Sequence, residues 1–141
     1  MELIEFGYLG LFIGAFLAAT IVPFSSEIIL SALLISGAHP FACLLIATAG
    51  NTLGGISNYA IGFLGNPKWL LKLGMTNDKL NNLEILTKKY GHWLAFFAWM
   101  PIIGDPLTIA LGYFRAKFFP FFFLMTLGKF LRYLAIVYWF I

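Results

Sequence analysis

Pro23-Phe24-Ser25-Ser26-Glu27 breaks an apolar run that extends over residues 6–36. Pro101-Ile102-Ile103-Gly104-Asp105 breaks a second, between the apolar stretches 93–100 and 107–114. In both, a proline that cannot donate to a helix is followed four positions later by a carboxylate. Each arm beside the second break has 8 residues, about 12 Å as helix, whereas a hydrocarbon core is about 30 Å thick. Short apolar arms around a polar break read as a re-entrant hairpin, tolerated at depth where it is buried in protein or lines a wet cavity. The hairpin breaks are assigned to Pro101 and Gly104, and to Pro23 in the run 6–36, which alone could be two spans or one hairpin until the internal repeat decides.

A shift of 78 residues aligns the chain with itself without a gap. Pro23 falls on Pro101, Glu27 on Asp105, Ala32-Leu33 on Ala110-Leu111 and Ala38 on Ala116. Thr48, Gly50 and Leu53 fall on Thr126, Gly128 and Leu131. After each hairpin comes a stretch long enough to span, 41–64 and 118–141. Each repeat is thus expected to be one hairpin plus one spanning helix. A single crossing per repeat inverts the second relative to the first, and inverted repeats with broken helices around a midplane site are a transporter pattern. The hairpin tips, near Glu27 and Asp105, are expected to meet in the middle. The expected fold is an all-α integral membrane protein: repeat one over 6–65, a linker over 66–91 and repeat two over 92–141.

Composition agrees. The 141 residues are 61% hydrophobic and 11% charged, against about a quarter charged in a soluble domain. Too few charges remain to coat a soluble globule, which excludes a water-soluble domain, a disordered chain and a nucleic-acid-binding module. Cys43, the one cysteine, reads as a small buried hydrophobe. Residues 1–5 lack a basic segment, so the N-terminus reads as part of the membrane domain and not as a signal peptide.

Orientation follows from the basic residues. The linker holds Lys68, Lys72, Lys79, Lys88 and Lys89, and Arg115 and Lys117 fall on the same side. Basic loops stay cytoplasmic, which puts the linker inside and both termini outside. Within the linker, Thr76 or Asn77 is a suitable N-cap and Gly91 follows the helix end. Leu80, Leu83, Leu86 and Tyr90 form one stripe, consistent with an interfacial amphipathic helix or with a connecting helix packed on the protein.

Four charges escape this sorting: Glu27, Asp105, Lys129 and Arg132. Ionisable residues within membrane segments pair or face cavities. Each carboxylate could cap the second arm of its own hairpin, bind a proton or cation, or do both. Lys129 and Arg132 are i and i+3 and share a face with Tyr133. Asn51, Gly54, Gly55 and Asn58 form the matching small and polar face in the first repeat, suited to close helix approach. No metal cluster, nucleotide loop or hydrolase motif is present, so neither a cofactor nor a catalytic centre is expected.

Three segments carry a family likeness. Pro23-Phe24-Ser25-Ser26-Glu27 resembles the hairpin of the DedA superfamily, bacterial relatives of the SNARE-associated and VTT-domain proteins. Trp99-Met100-Pro101-Ile102-Ile103-Gly104-Asp105 and Leu127-Gly128-Lys129-Phe130-Leu131-Arg132-Tyr133 look closer to its short YqaA-type branch, as does Gly50-Asn51-Thr52-Leu53-Gly54-Gly55. The resemblance implies paired re-entrant hairpins and transport of lipids or lipid phosphates between leaflets, with proton coupling. Glu27 matches the family's hairpin acid. Typical members carry arginines around the second proline, where Trp99 and Gly104 stand here; Lys129 and Arg132 would have to supply that charge.

Two functions are open at this level. In one, the protein is a lipid translocase, with Lys129 and Arg132 as counter-charges and Glu27 and Asp105 exchanging protons or cations. In the other, it is a non-transporting assembly or structural protein whose buried charges hold the hairpins together. The expected partners are membrane lipids, and a bundle this small is compatible with a homo-oligomer.

Overall fold

The computed structural model describes residues 2–20, 26–72, 74–100 and 104–140. Pro23 and Pro101 lie outside the described residues. What is described is helical: α1 (Glu2–Ala18), α2 (Ser26–Ile35), α3 (Pro40–Leu64), α4 (Pro67–Lys72), α5 (Asn77–Tyr90), a 3₁₀ helix (Gly91–Trp99), α6 (Gly104–Tyr113) and α7 (Phe118–Phe140). Two helices are long and apolar enough to cross a membrane, α3 with 25 residues and α7 with 23. They are about 37 and 34 Å long. The helices that follow the two breaks are short, while α1, before the first, has 17 residues. The 10 residues of α2 and of α6 extend about 15 Å each. A nine-residue 3₁₀ helix is unusual, since such runs seldom exceed about four residues.

The chain forms two compact units: Met1–Gly54 with Lys129–Ile141, and Gly55–Gly128. Each long helix therefore gives one half to each unit.

In the first unit α1 packs on α2. The core gathers Leu11, Leu30, Leu33, Cys43, Leu44 and Tyr133. Cys43 is fully buried there among apolar side chains. Gly50 and Gly54 of α3 let α1 approach closely. A Cβ at Gly50 would lie 2.4 Å from the Phe12 carbonyl oxygen, and one at Gly54 2.6 Å from that of Phe16.

In the second unit the 3₁₀ helix packs on α6, and α5 on both. Its cores gather Tyr59, Ala95, Leu111, Phe121 and Met125, and, beside them, Leu70, Met75, Ile109 and Ala110. Contact between α3 and α6 is through backbone: a Cβ at Gly62 would lie 2.0 Å from the Ile109 oxygen, and one at Gly112 2.0 Å from the Tyr59 oxygen. The linker contains the helix expected between residues 76 and 91 and also the short α4. Thr76 caps α5 by accepting from the Lys79 amide, and Gly91 ends it with φ 60°. Leu80 and Leu83 pack inward, whereas Leu86 and Tyr90 of the same stripe stay exposed.

One local device recurs at the interval of 78 residues. At the end of α2 the Gly37 amide donates to Leu34 O and the Ala38 amide to Leu33 O. At the end of α6 the Arg115 amide donates to Gly112 O and the Ala116 amide to Leu111 O. Both are Schellman caps, which need a left-handed residue at the first position past the helix. Gly37 supplies it at φ 91° and Arg115 at φ 57°. Likewise Thr48 Oγ1 donates to Leu44 O and Thr126 Oγ1 to Phe122 O. A Cβ on Gly128, the position matching Gly50, would meet the Phe96 oxygen at 2.3 Å.

Candidate functional site

The first unit concentrates the charges that composition alone would not place in an apolar interior. Ser26 and Glu27 open α2, where the first-turn amides favour an acid. Arg132 lies about 21 Å along α7, and its guanidinium donates to Glu27 Oε1. That pair is not sealed: the Arg132 side chain is 25% exposed and that of Glu27 45%. Beside it the hydroxyls of Ser26 and Tyr133 share a buried hydrogen bond of 2.7 Å. The Arg132 guanidinium lies 5.4 Å from the centre of the Tyr133 ring. The sequence had grouped Tyr133 with the two cations on one face; its bond to Ser26 depends on how α2 meets α7.

Lys129 is placed differently. It is 1% exposed, and its ammonium donates to the backbone oxygen of Asn51 at 3.1 Å and to the Asn51 side-chain oxygen. The Asn51 amide nitrogen in turn donates to Ala15 O at 2.8 Å. One asparagine thus ties α7 and α1 to α3. It reaches Ala15 because Gly50 and Gly54 leave no side chains between the two helices. The cation is buried yet satisfied, as burial of charge requires.

The second unit holds the other acid. Asp105 sits in the first turn of α6, half-buried. Its carbonyl accepts from Thr108 Oγ1 at 2.7 Å, and Asn58 Nδ2 donates to that hydroxyl at 3.3 Å. Gly104 opens α6 where a Cβ would lie 2.1 Å from the Ala98 oxygen, so the break needs glycine for packing. The stripe Asn51, Gly54, Gly55 and Asn58 divides. Asn51 and Gly54 meet α1 in the first unit, while buried Gly55 and Asn58 belong to the second, where Asn58 meets α6. Gly62 continues the stripe from Gly54 and Asn58 at a spacing of four. That regularity was legible in the sequence, but the glycine's partner on α6 was not. Among the described residues no group of three or more His, Cys, Asp or Glu could hold a metal ion.

The sequence comparisons fit this arrangement. The VTT domain matches residues 22–141, which hold Glu27, Asp105 and both long helices. The chain belongs to the VTT-domain family. It is a membrane protein of the DedA superfamily, YqaA type. It is 39% identical over 127 residues to the inner membrane protein YqaA of Escherichia coli, covering 89% of this chain and 85% of that one. The same figures hold for YqaA of Shigella flexneri. A protein of Haemophilus influenzae is 33% identical over 136 residues, 91% of this chain and 83% of that one. No solved structure matches. The family and the two apolar spanning helices make this VTT-domain chain an inner membrane protein.

Proposed function

We propose that this VTT-domain protein moves a lipid bearing a phosphate headgroup between membrane leaflets, coupled to protons. The observation that carries the reading is the half-exposed ion pair of Glu27 and Arg132 within the apolar part of the chain. Sealing an ion pair fixes its partners, at a desolvation cost. One left open can exchange partners. A lipid phosphate can take the Arg132 guanidinium bidentately, as carboxylate does. Glu27 then loses its counter-ion, and taking up a proton lets it stay in an apolar setting. Phosphate binding and proton uptake at Glu27 are thereby linked. Asp105, 78 residues on, carries the same duty for the second hairpin. No bond is made or broken, so the protein acts as a carrier and not as an enzyme.

The proposed topology has two inverted repeats, each a re-entrant hairpin followed by a spanning helix, with the linker cytoplasmic and both termini outside. The matching caps at Gly37 and Arg115 and the matching close approaches at Gly50 and Gly128 support duplication. The shortness of α2 and α6 supports hairpins that do not cross.

The test is reconstitution into liposomes with a fluorescent phospholipid in one leaflet. Wild type is expected to speed its movement, faster under an imposed proton gradient. Glu27→Gln should abolish the gradient effect, and Arg132→Gln should abolish movement. Rates for wild type equal to those of empty liposomes would remove the proposal.

A second reading has an observation of its own. Lys129 is sealed on Asn51 and reads as a structural staple. If all the buried charges are staples, the protein is a non-transporting assembly component. Loss of transport in Arg132→Gln with an unchanged melting curve separates the two.

A further inference from the structure

The linker carries a feature that neither hairpin uses. Residues 66–91 contain five lysines against Asp78 and Glu84, which is the whole net charge of +3 of the chain. The inner face of α5 is already packed through Leu80 and Leu83. Its outer face runs on past Gly91 into the 3₁₀ helix, where Tyr90, Trp93, Leu94 and Phe97 line an open groove of about 350 Å³. Trp93 is 64% exposed and Phe97 45%. At one end of this groove Lys89 Nζ stands 5.3 Å from the Tyr90 ring centre, and the His92 ring lies 5.4 Å from that of Trp93. Lys88 is one turn from Glu84, which it meets at 3.1 Å in an exposed pair. Such a pair contributes little and exchanges readily.

We infer that this junction binds one anionic phospholipid. An acyl chain lies along Trp93, Leu94 and Phe97, and the headgroup phosphate lies beside Lys89, with Lys88 adding to the positive field around it. Charge decides the occupant. A second copy of the chain seated on the same face would bring another Lys89 to the same place. A zwitterionic lipid would fill the groove, but its own ammonium would offset the charge its phosphate brings to the lysines. Tyr and Trp beside Lys is also the composition that settles at a headgroup layer. The inference does not rest on the transport reading, because a lipid held here is a bound partner and not cargo.

The experiment uses the whole protein in a neutral detergent, with native mass spectrometry to count bound lipid and thermal melting alongside. Short-chain phosphatidylglycerol is expected to be retained at one per chain and to raise the melting temperature more than phosphatidylcholine of the same chain length. The double substitution Lys88→Gln with Lys89→Gln should weaken phosphatidylglycerol binding about thirtyfold. It should leave the lipid-free melting temperature unchanged, since both side chains are exposed. Trp93→Ala should weaken both lipids together. Arg115→Gln with Lys117→Gln should change neither. Equal retention of the two lipids, undiminished binding after loss of the two lysines, or a dimer abolished by Trp93→Ala without lipid preference would each overturn the inference.

Discussion

Lys129 donates to Asn51, the residue 78 positions before it, and so to its own counterpart in the other half of the sequence. Helix α7 brings a cation to this contact and helix α3 an amide. The pair is therefore unlike on its two sides. The buried ammonium has the Asn51 oxygens to satisfy it, and the Asn51 nitrogen is engaged with Ala15.

The stability of this pair is expected to be non-additive. Asn51→Leu takes the side-chain oxygen from a buried ammonium, leaving the backbone oxygen of residue 51 to accept from it, and should cost about 1.5–3 kcal/mol. Lys129→Met leaves amide oxygens unpaired and should cost about 1–3 kcal/mol. The double variant should recover most of the larger loss, because both polar groups are then gone. Thermal unfolding in detergent of all four proteins measures the coupling. Additive losses would mean that the two residues do not act on each other.

Glycines that look alike in the sequence are expected to respond in opposite directions. Gly62→Ala puts a methyl 2.0 Å from the Ile109 oxygen, which separates α3 from α6 and should lower the melting temperature by several degrees. Gly10→Ala meets nothing within 4 Å and should gain up to about 1 kcal/mol from helix propensity. Equal effects of the two substitutions would contradict the backbone contact at Gly62.

Arg115 holds a left-handed conformation that its counterpart Gly37 adopts freely. For a residue with a Cβ that conformation costs about 1–2 kcal/mol. The guanidinium lies 4.3 Å from the centre of the Phe63 ring, which returns about 0.5–1 kcal/mol. Arg115→Gly relieves the first and loses the second, so its melting curve should stay close to that of wild type. Arg115→Ala keeps the strain and loses the stacking, and should be less stable by about 1 kcal/mol. The order glycine above alanine is the diagnostic result.

Much of this protein was legible one segment at a time. The Pro-x-x-x-acid breaks announced that neither apolar run is one uninterrupted helix, and α2 and α6 each place the acid in their first turn. Apolar length alone marked α3 and α7, and the cap residues Thr76 and Gly91 bounded α5. These are local properties, set by hydrogen-bond donors, φ angles and periodicity within a few turns. The four misplaced charges were legible as a group for the same reason.

Their assignment was a matter of tertiary structure. Glu27 and Arg132 are 105 residues apart and meet only because α2 lies against the distal half of α7. From the sequence Lys129 and Arg132 were equivalent cations three residues apart, but the fold seals one on an asparagine and leaves the other a quarter exposed beside a carboxylate. The polar stripe of α3 read as a single face, yet packing sends Asn51 to α1 and Asn58 to α6. The sequence by itself determined where the helices break, which of them can span, and that all the net charge sits in the linker. Only packing decided which charge is buried and which can exchange partners, because that depends on the burial and reach of groups from helices far apart in the chain.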